Sequence, residues 1–172
     1  MNETEARRAI DSLAISTEIV LPNDTNTLGN LMGGRLLHWM DITAAISAHR
    51  HCRKVVVTAS VNNVSFNSPI RLADIVTVEA KVSRAFTTSM EVFIEVFVEH
   101  HTTGVKKKCN EAIYTFVAVD PAGAPIPVPP LLAESPEELA RYTAALRRKQ
   151  LSLILAGKMK PEEASELKAL FL

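Results

Sequence analysis

The chain has 172 residues, a length that usually makes one domain. Hydrophobic residues make up 47% of it, enough for a substantial core, which excludes a disordered chain. Lys plus Arg is 19 and Asp plus Glu is 19, so the net charge is zero; it points to neither nucleic acid nor an anionic membrane, and does little to hold copies of the chain apart.

The N-terminus (MNETEARRAIDSLAISTEIV) has early acids and no unbroken apolar run. No signal peptide and no membrane span are expected, and the location expected is cytoplasmic. Residues 5–13 fit a short helix, and residues 17–21 (TEIVL) a first strand closed by Pro22. Residues 23–30 are turn chemistry, in which Asn and Asp tolerate unusual backbone angles and Gly29 adds freedom. Residues 33–51 are helical in pattern. Leu36, Leu37, Trp39, Met40, Ile42, Ala44, Ala45, Ile46 and Ala48 cover most directions around the axis, as in a helix buried on all sides.

The period then changes. Residues 55–66 are β-branched and strand-like, residues 75–84 alternate, and residues 90–98 (MEVFIEVFV) alternate again. Residues 113–119 read as the last apolar strand. The fold class expected is α+β, with one antiparallel sheet curled around one helix. The outer face of that sheet still carries Phe93 and Phe97, which calls for cover from the tail or from a second copy. Residues 121–130 are a proline-rich connection. Ser135, Pro136 and Glu138 form a capping box, and a second short helix starts at Pro161. The division expected is residues 1–130 as the main domain and 131–172 as a helical extension.

Two features in the stretch NDTNTLGNLMGGRLLHWMD carry chemistry. A helix starting near Gly33 offers unpaired N–H groups and the positive end of its dipole, and Gly33 and Gly34 have no side chains to block a substrate. Such an end can stabilise an oxyanion; the alternative is that the glycines only permit a tight turn. Asp41 stands within the apolar helix, where a carboxylate has to be paired, hydrogen-bonded or protonated. Its plain alternative is a half-exposed acid bonded to His38 or Arg35. Eight residues separate Gly33 from Asp41, roughly 12 Å of helix. The two can act on one substrate only if they come from two chains, as in a two-fold dimer with antiparallel helices.

PNDTNTLGNLMGGRLLHWMD, SVNNVSFNSPIRLADIV, TTSMEVFIEV and AIYTFVAVD together resemble the hotdog-fold acyl-CoA thioesterases, over residues 17–127. The nearest type is that of the bacterial broad-specificity and brain acyl-CoA hydrolases. The resemblance implies a double-hotdog homodimer, often three to a hexamer, that hydrolyses fatty acyl-CoA to free acid and CoA. It implies Asp41 as general base or nucleophile, Asn30 as the amide contributed across the dimer, and the N–H groups at Gly33 and Gly34 as the oxyanion site. CoA would be held by Asn67 and Ser68 and by the turn at Ser83, Arg84, Thr87, Thr88 and Ser89. Many relatives carry Arg where this chain has Thr87, so Arg84 is the substitute expected; its alternative is a solvated turn residue.

The other candidates are plainer. Cys52 and Cys109 share no metal-type spacing and are expected as reduced thiols. His49 and His51 suit the negative end of the helix as cations. His100–His101 and Lys106–Lys108 read as solvated surface. No Gly-x-Ser-x-Gly elbow is present, and no cluster of His, Cys and acids has metal spacing. No cofactor beyond the CoA of the substrate is expected. The alternative function is a non-catalytic acyl-CoA-binding or regulatory hotdog protein; a hydratase would want an Asp–His pair set for proton transfer, and the surrounding motif is not that of hydratases.

Overall fold

The computed structural model of the chain describes residues 5–62, 64, 66 and 68–171. A two-residue strand, β1 (Arg7–Arg8), leads through a 3-10 turn (Ala9–Ser12) to β2 (Ala14–Ile19). Helix α1 (Gly33–Cys52) follows, then β3 (Val55–Asn62), β4 (Ile75–Ala85), β5 (Ser89–Glu99) and β6 (Lys106–Val119). The last elements are β7 (Leu131–Leu132), α2 (Pro136–Leu155) and α3 (Ser165–Lys168).

Five strands form one sheet in the order β2-β4-β5-β6-β3, and every neighbouring pair is antiparallel. Alternation decides which face is inside. Val76, Val78, Ala80 and Val82 of β4, Val92, Ile94 and Val96 of β5, and Tyr114, Phe116 and Ala118 of β6 are all buried toward α1. α1 answers with Leu36, Met40, Thr43, Ala44, Ser47 and Ala48, a single stripe at helical spacing. Three of those six are Ala or Ser, which lets the helix axis lie close to the sheet. This is the sheet-around-helix arrangement expected from the sequence.

The helix is not buried on all sides, as its composition implied. Ile42 and Ile46 are 47% and 41% exposed on the side away from the sheet. One curled sheet can cover only one side of a helix.

Other expectations shift for local reasons. Of residues 5–13, expected as a short helix, only Ala9–Ser12 are helical, as one 3-10 turn; Arg7 and Arg8 are extended because they pair in parallel with Leu131 and Leu132, far along the chain. The first strand ends at Ile19, and Pro22 instead opens a 3-10 turn (Pro22–Asp24). β6 starts at Lys106, well before Ile113, with Glu99 opposite Lys106 and Phe97 opposite Lys108. Lys108 reaches Glu95 at 2.8 Å and also pairs with Glu111. The lysines therefore face acids on the sheet's outer side, where cross-strand charge pairing keeps a polar segment extended.

The outer face is covered by the tail of the same chain. The capping box forms as expected, with Glu138 N–H donating to Ser135 Oγ at 3.1 Å. α2 then lies across the sheet: the Arg141 guanidinium sits 4.0 Å over the Phe93 ring, and Arg148 forks onto Glu91 at 2.9 and 2.7 Å. α3 follows a 3-10 turn (Pro161–Glu163), and its Leu167 N–H donates to Gln150 of α2. No helix among the described residues is long and apolar enough to cross a membrane.

Candidate functional site

The start of α1 is built by Asp24. Its Oδ2 accepts from Leu21 N–H at 3.0 Å, its Oδ1 from Arg35 Nε at 2.6 Å, and its carbonyl from Met32 N–H at 2.8 Å. Arg35 is thereby engaged with Asp24 and does not pair with Asp41. Between them runs a tight loop. Asn26 Oδ1 accepts from Leu28 N–H and Asn30 N–H, Gly29 adopts φ +74°, and Asn30 bridges to Arg71 in the segment before β4. An Asn that folds its side chain onto the backbone ahead is the reason this stretch is a turn.

α1 begins without a side-chain cap, and the N–H groups of Gly33 and Gly34 have no acceptor among the described residues. Beside them lies a cavity of about 400 Å³ lined by Asn26, Asn30, Gly33, Phe66, Ser68 and Asn110, with Cys109 at its edge. The Phe66 ring packs so closely on Gly33 that a Cβ there would meet it at 3.2 Å. Gly34 faces open space. The Asn30 side chain makes no hydrogen bond among the described residues, so its amide is available to a ligand. The Cys109 thiol is pushed up by burial, which keeps it protonated and poorly nucleophilic.

Asp41 is elsewhere. It lies half-buried on α1, two turns from Gly33, and its partner is neither His38 nor Arg35. Thr58 Oγ1 of β3 donates to Asp41 Oδ1 at 2.8 Å. A bulge between Thr58 and Ser60 re-aims the strand at that point. Below it Tyr114 is buried and its phenol is pushed up to about 12, by burial first and then by the charge of Asp41. Tyr114 Oη donates to Leu37 O at 3.3 Å and stays neutral at working pH.

The residues expected to hold CoA fall into two places. Ser68 lines the cavity, and Asn67 lies outside the described residues. Arg84, Thr87, Thr88 and Ser89 sit at the β4–β5 turn. Ser89 is opposite Val117, and Val117 is opposite Val57, so that turn lies near the start of β3; Asn110 of the cavity lies toward the other end of β6. Within one chain the two groups are at opposite ends of the sheet. Arg84 is not a free turn residue: its guanidinium lies 4.0 Å over the Tyr142 ring and Nη1 donates to Tyr142 O at 3.0 Å. Ser89 is buried, while Thr87 and Thr88 accept backbone hydrogen bonds from Val128 and Ala118.

His51 departs from its expected role. It is buried, its Nε2 meets Pro129 O at 2.9 Å, and burial holds its pKa down, so it is a neutral core residue and not a dipole cation. Cys52 and Cys109 are both free thiols. The sequence reading missed Thr58, Asn26 and Phe66 as site neighbours. For Asn26 the D-T-N turn was a usable signal; for Thr58 there was none without the strand pairing.

The thioesterase superfamily family model matches residues 28–105. The chain is 41% identical over 86% of its length to the uncharacterized acyl-CoA thioester hydrolase YkhA of Bacillus subtilis, covering 86% of that protein. Among solved structures, an acyl-CoA hydrolase from Bacillus cereus matches with TM-score 0.83 and 36% identity, over 98% of this chain and 99% of that one. An apo-hexameric acyl-CoA thioesterase matches with TM-score 0.84 and 37% identity, over 88% of this chain and 97% of that one.

Proposed function

The chain belongs to the thioesterase superfamily, among its hotdog-fold acyl-CoA hydrolases, and from that membership we propose that it hydrolyses fatty acyl-CoA to free fatty acid and CoA in a site shared by two copies. The observation that carries the shared site is the separation of Asp41 from the unpaired N–H groups of Gly33 and Gly34 along one helix, roughly 12 Å. The thioester oxygen docks on those N–H groups, which hold the negative charge that develops on it. The partner subunit's Asp41 approaches the carbonyl carbon. As general base it takes a proton from the attacking water; as nucleophile it would form an acyl anhydride that water then opens. Either way the C–S bond breaks and CoA leaves as its thiol.

The amide facing the carbonyl or water is that of Asn30. Asn26 lines the same cavity, and its Nδ2 is the second choice. CoA runs from Ser68 toward the partner's Thr87, Thr88 and Ser89, with Arg84 contributing only if it leaves Tyr142.

Pairing of two copies is supported by β3. It is an edge strand that exposes Val55, Val57 and Val61 at 61%, 47% and 45%, and an apolar edge of that kind is normally covered. Two β3 edges side by side would set the two α1 helices antiparallel. Three such dimers would make a hexamer, and one similar solved structure is a hexameric acyl-CoA thioesterase.

The test is CoA release from acyl-CoAs between acetyl and palmitoyl, by wild type and Asp41→Asn. Turnover by the first and loss of at least about a hundredfold in the second is expected. Mixing Asn30→Ala with Asp41→Asn after unfolding and refolding together should restore about a quarter of wild-type activity, because each mixed dimer keeps one intact site. Activity on no substrate would favour an acyl-CoA-binding protein; no recovery on mixing would refute the shared site.

A further inference from the structure

On the far side of Ser68 and Pro69 from the first cavity, the fold brings Asp74 beside the adjacent pair His100 and His101, 26 residues further along the chain. Asp74 closes the segment before β4, and His100 and His101 open the β5–β6 turn. Each can offer one ligand atom, and the three atoms lie within 4.8 Å of one another. We propose that they form a binding site for a divalent transition metal, Zn²⁺ or a similar borderline ion such as Co²⁺ or Ni²⁺.

The donors are oriented one by one. Asp74 is only 4% exposed, and its Oδ2 accepts from Arg71 N–H at 3.0 Å. That contact turns Oδ1 toward His101 Nδ1, 3.4 Å away. Such a separation suits adjacent positions on a tetrahedral ion with legs of about 2.1 Å. His100 Nδ1 lies 3.0 Å from Thr102 Oγ1, which leaves Nε2 as the ligating atom of that ring. The two imidazoles stack with centroids 5.0 Å apart and planes 23° from parallel, so both can turn an edge to one ion. A bare Asp74–His101 pair would engage two of these side chains and gives His100 Nε2 no task.

The surroundings leave room for a fourth ligand. A cavity of about 460 Å³ opens beside Asp74 and His100 and includes Arg71 and Lys107. Their charges favour an anion or hydroxide over a second cation at the open position. The ion would fasten the β5–β6 turn to the segment that contains Arg71. Arg71 bridges to Asn30, and Leu72 N–H donates to Gly29 O at 3.2 Å, so the same clasp steadies the Asn30 loop.

The test needs no substrate. Full-length chain without an affinity tag is stripped with chelator, equilibrated with Zn²⁺, dialysed and assayed for metal by mass spectrometry; a parallel sample loaded with Co²⁺ is read by its visible spectrum. Wild type is expected to retain one ion per chain. His100→Ala and His101→Ala, both on a surface turn, should each bind at least about tenfold more weakly. No retained metal in the wild type overturns the site, as does equal retention by the double variant His100→Ala/His101→Ala.

Discussion

Thr58 reaches across from the edge strand β3 to donate its hydroxyl to Asp41 Oδ1 at 2.8 Å. The bond fixes one carboxylate oxygen, and Oδ2 has no hydrogen-bond partner among the described residues; in the proposed site that oxygen faces the substrate. A hydrogen bond to a charged group is worth about 1.5–3 kcal/mol. Thr58→Val removes the donor while keeping the β-branched shape that the strand prefers. We expect kcat to fall by about tenfold or more, with KM nearly unchanged, and Thr58→Ser to recover most of the loss. Equal kinetics for Thr58→Val and wild type would make the contact structural only.

Gly33 and Gly34 stand next to each other and are expected to respond differently. A methyl at Gly33 would press on the Phe66 ring, so Gly33→Ala should displace Phe66 from the cavity wall. A methyl at Gly34 meets nothing within 4 Å among the described residues. Gly34→Ala should therefore hold or slightly raise the melting temperature, since Ala is favoured over Gly in helices by up to about 1 kcal/mol. If the open side of Gly34 is where the thioester docks, the same variant should raise KM or lower kcat. A Gly34→Ala enzyme with unchanged kinetics would move the oxyanion site elsewhere.

How much of this could be read beforehand follows from the range of each signal. α1, β4 and β5 were legible because their periods are local, and the burial of Val92, Ile94 and Val96 follows directly from alternation. The first half of β6 was not, because Lys106, Lys107 and Lys108 look solvated until β5 comes alongside, setting Glu99 opposite Lys106 and Glu95 within reach of Lys108. Arg7 and Arg8 extend only because Leu131 and Leu132 come alongside. The loop at Asn26 and Asn30 was legible as a turn, since its bonds are between near neighbours. Thr58 beside Asp41, Arg84 on Tyr142, and Asp74 beside His101 depend on pairings between distant segments, which no local pattern encodes.

Tyr114 makes an alkaline test of the core. Its phenol is pushed up from 10.0 to about 12, by burial and then by Asp41. The folded chain therefore holds a proton that the unfolded chain gives up between those values. Stability from this group is complete below about pH 10 and is lost as pH rises toward 12. Urea unfolding at pH 8 and pH 11 should show a larger alkaline loss for wild type than for Tyr114→Phe. Identical losses would mean that the phenol ionises as freely in the folded state as in the unfolded one.

Arg148 tests whether α2 is fastened to the sheet by charge or by packing. Glu91 is 4% exposed and accepts from both Arg148 nitrogens and from Ser83 Oγ at 2.6 Å. Removing one member of a buried pair leaves a charge that costs about 3–5 kcal/mol. The Arg148 side chain is 30% exposed, so water can reach part of the gap and the lower end is expected. Arg148→Ala should lower the melting temperature, whereas Glu91→Gln/Arg148→Ala should regain part of the loss because no charge is stranded. Both variants should keep their turnover at temperatures well below melting, since α2 lies on the outer face, away from Asp41 and Gly33. A fall in kcat without a fall in stability would instead tie α2 to the site, through Arg84 and the β4–β5 turn that Tyr142 holds.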